Sequence, residues 1–387
     1  MSRPRRFAIV CPNFFPRTCG VGDNSLRLGQ ELLRRGHEVA IFTRAPAERH
    51  PEAPDLPVHG APHRLPSAIA LSLRAQIAAY RPTDLIVQFT NQMWDAWRFG
   101  SGAPELLAAD RRHAGARVLT IVHEPYIPPS RRPDLAVAYA CQRVLFAGML
   151  AASNAVRMTT NTRARTVAEI CRLLRLPEPG VLRIGPSALP AARRRPPFDG
   201  RAPRLGYFST AAVGKRFDVV LGAFDTISRE IPDAELVLMG DLGPPEHPNV
   251  RVVRDTIDRH PARARIRLTG KLTLAEIARE IADLDLYLFG MNTGANSRSS
   301  TLPTALGSGL PVIAISGAET DLELFHDGEN VIFATGLTGE AFAQAALPAL
   351  RDRDRLARVG AGAKRLYDQQ MSWDRIGDAV LDACAVA

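Results

Sequence analysis

Two doubly wound α/β domains in tandem are what this sequence predicts, and three observations carry that prediction. Short apolar runs alternate from end to end with helix-length amphipathic stretches, the pattern of parallel strands joined by helical crossovers. The alternation breaks once, over 186–203, where five prolines stand among Arg193, Arg194 and Arg195. The length, 387 residues, suits about two domains.

In the first half the expected strands are Phe7–Cys11, Glu38–Thr43, Leu85–Phe89, Arg117–His123 and Arg157–Thr160, with helices over Asn24–Arg35 and Thr162–Leu174. The proline-rich stretch fits neither a helix interior nor a central strand, so it reads as the linker. Beyond it, strands are expected over Arg204–Phe208, Glu235–Met239, Arg265–Thr269, Leu284–Phe289, Pro311–Ile315 and Val331–Phe333. The helices of this half are Phe217–Arg229, Leu274–Asp283, Leu302–Gly307 and Gly339–Leu350. Open α/β sheets bind ligands beyond the carboxyl ends of their strands, so function is expected in the loops after strands, facing a cleft bounded by both sheets.

Composition narrows the class. With 46% hydrophobic and 23% charged residues, the chain is neither disordered, collagenous nor coiled coil. A membrane span needs roughly 18 consecutive apolar residues. The best stretch, Leu135–Met149, is interrupted by Gln142 and Arg143, so no span is expected. The start imitates a signal peptide, but Pro12, Asn13 and Pro16 cut its apolar run short, which predicts a cytoplasmic protein. Five cysteines without CxxC spacing fit neither a disulfide framework nor a zinc site, and read as free thiols.

Charge is uneven. Residues 1–190 hold 25 arginines, no lysine and 14 acidic residues, a balance of +11; the rest holds 24 basic and 26 acidic residues. A basic first half suits an anionic partner such as a membrane surface, reached peripherally at the inner face, or it reflects an arginine-rich composition alone. No helix-turn-helix, RNP or zinc-finger pattern supports nucleic-acid binding.

Four segments carry candidate chemistry. Cys19-Gly20-Val21-Gly22-Asp23 joins the first strand to the first helix, where Gly20 and Gly22 let backbone approach a ligand and a helix N-terminus favours an anion; the alternative is a plain turn. It is not the GxGxxG fingerprint, and no acidic residue ends the second strand. His123 and Glu124 close the fourth strand before a loop stiffened by Pro125, Pro128 and Pro129, a titratable pair at a strand end, unless His123 merely bonds a backbone carbonyl. Lys215, one of three lysines, sits in Ser209–Arg216, where an ammonium either meets phosphate or is simply solvated. The stretch is no P-loop, since Gly is missing at Ser209 and Arg216 replaces Ser or Thr. In Gly294–Pro311, Arg298, Ser299, Ser300 and Thr301 precede a short helix opening with Leu302 and Pro303; its free amides and dipole make an anion site, or only a helix cap.

Taken in order, these segments resemble the GT-B glycosyltransferases, specifically the retaining enzymes of glycosyltransferase family 4, over nearly the whole chain. The resemblance adds Gly270-Lys271-Leu272 with Glu276, Glu323–Asn330, and Met371-Ser372-Trp373-Asp374, which looks like the family's final helix returning to the first domain. The domains it implies are 1–188 with 371–387 for the acceptor, a linker at 189–203, and 204–370 for a nucleotide-sugar donor. It implies transfer of sugar from a nucleotide-diphosphate sugar to a glycan, lipid-linked or small-molecule acceptor, with retention, and with neither cofactor nor metal. By position, Gly20 and Gly22 would adjoin phosphate and acceptor, His123 would face the transferring sugar, and Lys215 would contact the diphosphate. Gly270 and Lys271 would lie near the base, Glu323 near the donor, and the amides around Ser300 and Thr301 would complete the cradle.

The chain departs from the family at three places. Two glutamates eight positions apart are replaced by Asn296 and Thr304, and the usual diphosphate arginine by Thr210, for which Arg298 is the candidate substitute. Asp283-Leu284-Asp285 has the spacing of a metal-binding DxD but runs straight into Leu286–Phe289, so it reads as a strand entry. Alternatives are another GT-B enzyme, such as a sugar-nucleotide epimerase or phosphorylase, or a non-catalytic nucleotide-sugar- or nucleic-acid-binding protein. The acceptor would be read by loops such as Ala45–Pro66 and Gln92–Gly102, where Trp94 and Trp97 either stack on sugar or pack.

Overall fold

A computed structural model describes residues 3–385 except 18, 64, 91–92, 95–98, 194–200 and 213. The chain divides into two units, Met1–Arg183 with Trp373–Ala387, and Ile184–Ser372. The first comprises β1 (Arg6–Cys11), α1 (Gly20–Arg34), β2 (Glu38–Thr43), β3 (Val58–Gly60), α2 (Pro66–Tyr80), β4 (Asp84–Thr90), α3 (Ala103–His113), β5 (Arg117–Glu124), α4 (Pro133–Ala152), β6 (Ala155–Met158), α5 (Asn161–Leu174) and β7 (Gly180–Val181). The second comprises β8 (Arg204–Phe208), α6 (Phe217–Glu230), β9 (Glu235–Met239), α7 (Pro248–Asp258), β10 (Ile266–Leu268), α8 (Leu274–Ala282), β11 (Leu286–Leu288), α9 (Leu302–Gly307), β12 (Val312–Ile315), β13 (Ile332–Ala334), α10 (Gly339–Arg351) and α11 (Arg353–Gln370). A last helix, α12 (Trp373–Ala385), belongs to the first unit.

Each unit is one parallel sheet between helices. The orders are β3-β2-β1-β4-β5-β6-β7 and β10-β9-β8-β11-β12-β13. Their central strands are apolar on both faces because both faces are covered: Phe7–Cys11 and Leu286–Leu288 are fully buried. In both sheets the strand order reverses next to the first strand, between β1 and β4 and between β8 and β11. A crevice opens at such a reversal, outside the carboxyl ends of the flanking strands. The connections leaving these strands include the glycine turn after β1, the Lys215 segment after β8 and the Arg298 segment after β11.

Three expectations change in detail. The first helix starts at Gly20, not Asn24, so the glycine turn is its first turn. The apolar Leu135–Met149 stretch lies in α4, a helix long and apolar enough to cross a membrane by length and composition, although one face packs on the core through Ala138, Phe146 and Met149. Gln142, which interrupts the run, faces inward and accepts the Ile127 N–H at 2.8 Å. The unit boundary falls at Arg183/Ile184, ahead of the proline-rich stretch, because the next residues bond to the second unit: Ile184 N–H donates to Ser297 O (2.9 Å) and Ser187 N–H to Ser300 O (3.2 Å). Residues 194–200 of the expected linker, and Trp97, lie outside the described residues.

The returning helix is fixed within the first unit by charge. Arg35 donates to Glu31 (2.6 Å) and to Asp378 (2.6 Å), and Arg34 pairs with Glu31 and Asp374.

Candidate functional site

In the first unit the site grows from the start of α1. Gly22 is dictated by packing, since a Cβ there would lie 2.9 Å from the Asn13 carbonyl oxygen; at Gly20 a Cβ would meet open space. The next side chain, Asp23, is largely desolvated, which pushes its carboxyl up to about 6 despite the pull of Arg27. Asn24 then turns inward. Its Oδ1 accepts from Gln88 Nε2 (3.2 Å), and Gln88 Oε1 meets His123 Nε2 at 2.7 Å. Because the Gln88 amide donates to Asn24, its oxygen faces the imidazole, and His123 carries its proton on Nε2. Arg163, in the first turn of α5, donates to the His123 carbonyl at 2.5 Å. Helix α1 and the neighbouring strands β4 and β5 thus supply one buried polar line, Asn24–Gln88–His123, against an otherwise apolar sheet. Half-buried Glu124 follows, opposite Thr90 at a register shift.

In the second unit the site grows from the loop after β8. Gly214 has φ +85°, and a Cβ would meet Asn292 Oδ1 at 2.9 Å. Gly214 O accepts from Asn292 N–H (3.2 Å), Gly290 O accepts from Arg216 N–H (2.8 Å), and Lys215 bridges to Met291. The loop after β8 is thereby fastened to the loop after β11. Burial, aided by the charge of Arg298, lowers the Lys215 ammonium to about 8. Arg216, by contrast, is taken up by Asp218 at 2.6 Å. Arg298 faces Glu319 at 3.7 Å. Lys215 and Arg298 therefore place two cations together after the two strands that flank the sheet's reversal.

The segment leading into α9 uses its polar groups internally. Ser299 Oγ accepts from Thr301 N–H (3.4 Å) and Leu302 N–H (3.3 Å), so a side chain caps the amides that a phosphate would otherwise meet. The Ser300 carbonyl is taken by Ser187. Leu302 and Thr304 are fully buried, and Thr304 Oγ1 donates to Ala188 O at 2.8 Å. Asn296, also buried, donates to Thr293 Oγ1 (3.0 Å) and Gly294 O (2.8 Å) and accepts from Arg298 N–H (3.1 Å). Neither position of the two family glutamates offers surface to a ligand.

Other residues named from sequence lie elsewhere in the second unit, and Asp285 is at the opposite, amino-terminal edge of its sheet. Thr210 is exposed just after β8. Gly270 and Lys271 follow β10, with Gly270 bridged to Gly240, and Lys271 exposed. Glu276 forms a capping box with Thr273 at the start of α8, accepting at 2.8 Å, a structural duty legible in Thr-x-x-Glu. Glu323 is exposed in a turn after β12, not on a helix. Asp285 receives Arg201 through two bonds (2.6 and 2.7 Å) and the Arg204 N–H (2.9 Å), so the DxD carboxylate is a structural anchor. Sequence reasoning missed Gln88, Asn24 and Glu319; the signal for Gln88 was a lone amide inside an apolar strand.

Residues 202–352 match the family model described as glycosyl transferases group 1. A curated relative, the GDP-mannose-dependent alpha-(1-6)-phosphatidylinositol monomannoside mannosyltransferase of Mycobacterium tuberculosis, is 26% identical, with 97% of each chain covered. Among solved structures, a glycosyltransferase from Rickettsia africae is 14% identical with a TM-score of 0.72, covering 99% of this chain and 98% of its own. Anabaena HepE in complex with UDP and glucose is 15% identical with a TM-score of 0.70, covering 98% and 99%. At these identities the solved structures show the fold they share with this chain.

Proposed function

The chain is a GT-B glycosyltransferase whose second unit is a glycosyl transferases group 1 domain, and from that premise we propose that Lys215 and Arg298 hold the diphosphate of its nucleotide-sugar donor. The observation that carries this reading is the pairing itself: a desolvated ammonium and a guanidinium on two fastened loops, with no carboxylate in a salt bridge to Lys215 among the described residues. Bringing like charges together out of water is unfavourable unless an anion joins them. As the glycosyl bond breaks, the leaving diphosphate gains negative charge, and cations already in place stabilise that change without reorganising. Transfer proceeds with retention and without a metal.

The acceptor is assigned to the first unit, at the edge carrying Gly20, Gly22, Asp23 and His123. His123, its imidazole oriented through Nε2 by Gln88, is assigned to a sugar or acceptor hydroxyl. The mycobacterial relative's phosphatidylinositol-based acceptor supports a lipid-linked one here. So does α4, only a third of whose apolar window is buried, and whose outer face carries Val137 (55% exposed) and Val144 (73%) beside Leu173 (83%) of α5. A groove of about 410 Å³ runs there between Tyr139, Arg143 and Leu174. This face and the arginine excess of residues 1–190 support peripheral contact with an anionic membrane surface on the cytoplasmic side.

Thermal stabilisation by UDP, GDP, ADP, CMP and TDP at matched concentration tests the donor site, because a ligand of the native state raises its apparent stability. One nucleotide should stabilise selectively, and Lys215→Ala and Arg298→Ala should each weaken the effect. An unchanged response in Arg298→Ala would remove that residue from the site. Vesicles containing phosphatidylglycerol should pellet the protein at low salt, and Val144→Asp with Leu173→Asp should abolish pelleting; equal pelleting with pure phosphatidylcholine would refute the anionic surface.

A further inference from the structure

The two units each carry a surface groove, and the grooves differ in chemistry. The larger, about 580 Å³ between α6 and α7, is rimmed by Asp218, Asp225, Asp255 and Arg259, as helices facing water ordinarily are. The groove of about 410 Å³ between α4 and α5 is walled by Ala140, Val144, Ala147, Ile170 and Leu173, and Arg143 is the one charged side chain among the described residues that line it. No carboxylate among the described residues forms a salt bridge with Arg143. It lies over the Tyr139 ring, 5.5 Å from the centroid, and donates to the Tyr139 hydroxyl at 3.4 Å. An apolar channel with one cation suits a hydrocarbon chain that ends in one anionic group. The groove also has a direction. Both helices start at the carboxyl edge of the first sheet and run away from it, so Tyr126, just after β5, marks the near end and Leu174, the last residue of α5, the far end. Tyr126 packs on Tyr139 (5.6 Å between ring centroids) and Phe146 (5.9 Å). It stands three residues beyond His123, and its phenol, raised by burial, feels the opposing pull of both Arg143 and Arg163. Arg163 in turn holds the His123 carbonyl. One ring therefore joins the groove to the edge assigned to the acceptor.

We propose that this groove holds the apolar chain of a lipid-linked acceptor, with Arg143 on the phosphate that joins the chain to its head group. The inference rests on the lipid-linked acceptor and the His123 edge assigned above, and it goes beyond contact with a membrane surface to one bound lipid. Charge selects the occupant: a neutral chain would leave Arg143 unanswered, and a basic segment would be repelled by it. Direction selects the acceptor over bulk lipid. A chain lying toward Leu174, with its phosphate at Arg143 and Tyr139, turns whatever the phosphate carries back toward Tyr126 and His123. The exposed Val144 and Leu173 that rim the groove would meet the surrounding bilayer while the chain stays out of water. The groove thereby acts on acceptor binding and leaves the reacting groups to the His123 edge.

Soluble alkyl phosphates test the groove without a membrane. Calorimetry on the intact chain with hexyl, octyl and decyl phosphate, each below its micelle concentration, should show binding that tightens by up to about fourfold per methylene, the gain for a buried CH2. Decanol should bind roughly tenfold more weakly than decyl phosphate, the loss expected without hydrogen bonds to a charged group, and Arg143→Gln should remove that difference. Ala147→Phe and, at the exposed rim, Ala140→Trp fill part of the groove and should each remove most of the gain with chain length, while far-ultraviolet circular dichroism and melting stay unchanged. Lys215→Ala should bind decyl phosphate as wild type does, because its cation belongs to the other unit. Among decyl phosphodiesters of glucose, mannose and inositol, at least one should bind more tightly than decyl phosphate, and His123→Ala should cancel that gain. Affinity independent of chain length, affinity untouched by the filling variants, a phosphate preference that survives Arg143→Gln, or binding lost in Lys215→Ala would each overturn the proposal. So would a head group that never adds affinity, since the groove would then serve bulk lipid. Vesicle pelleting absent with alkyl phosphate binding intact would instead refute the membrane-surface reading alone.

Discussion

Glu105 offers a test of the first unit that needs no substrate. It lies in the first turn of α3, only 9% exposed, and neither carboxylate oxygen has a hydrogen-bond partner among the other described residues. Burial pushes its pKa from 4.5 up to about 7. Between those values the folded state holds a proton that the unfolded chain has released, so stability falls as pH rises through that window. Below it both states are protonated and nothing is lost; above it a charged carboxylate is buried without a partner. At about 1.36 kcal/mol per pH unit, the span from 4.5 to about 7 costs the first unit about 3 kcal/mol at pH 8. Glu105→Gln keeps the shape and removes the charge. It should match wild type near pH 4 and exceed it by up to about 3 kcal/mol at pH 8. All three tryptophans, Trp94, Trp97 and Trp373, belong to the first unit, so urea denaturation followed by tryptophan fluorescence reads this unit alone. Parallel stability profiles from pH 4 to 9, or a variant weaker than wild type at pH 8, would refute the reasoning.

Three further outcomes are expected. Because the free Lys215 ammonium loses its proton around pH 8, affinity for the nucleoside diphosphate should fall as pH rises through that value, approaching tenfold per unit above it, while Lys215→Arg flattens the profile in the same calorimetric titration. Gln88→Leu should lower turnover at least tenfold while leaving nucleotide binding intact, since it removes the group that fixes the His123 tautomer; His123→Ala should lose more, and a wild-type rate for His123→Ala would take the histidine out of the site. Arg201→Met should destabilise the second unit by about 2 to 4 kcal/mol in scanning calorimetry, because it strips two bonds from buried Asp285, and an unchanged transition would show that Arg193 and the Arg204 amide suffice.

The repeating strands and helices were legible because a parallel sheet covered on both faces writes itself as apolar runs, and most predicted strands lie within two residues of those observed. Lys215 and Arg298 were legible because the order of strands and loops located them. Gln88 was not, since periodicity treats one amide in Asp84–Thr90 as noise, and its use depends on a histidine 35 residues away. The caps at Ser299 and Glu276 show the opposite failure: residue types suited to phosphate or nucleotide are also those that satisfy helix ends, and only coordinates decide which duty they perform.

The replaced glutamates are best understood through the same competition. Thr304 is fully buried against Ala188, so a glutamate there would need to displace the chain entering the second unit before reaching any ligand. Asn296 spends its amide on Thr293 and Gly294 and its oxygen on Arg298 N–H, holding the loop from which the guanidinium projects. The substitutions are therefore not a decayed site left open to solvent. They convert two positions to support, and the support carries Arg298 and Glu319 on loops tied by Ser297 and Asp321. The donor assignment proposed above accounts for Lys215 and Arg298 on the same terms: cations held in fixed, partly desolvated positions cost stability until an anion joins them.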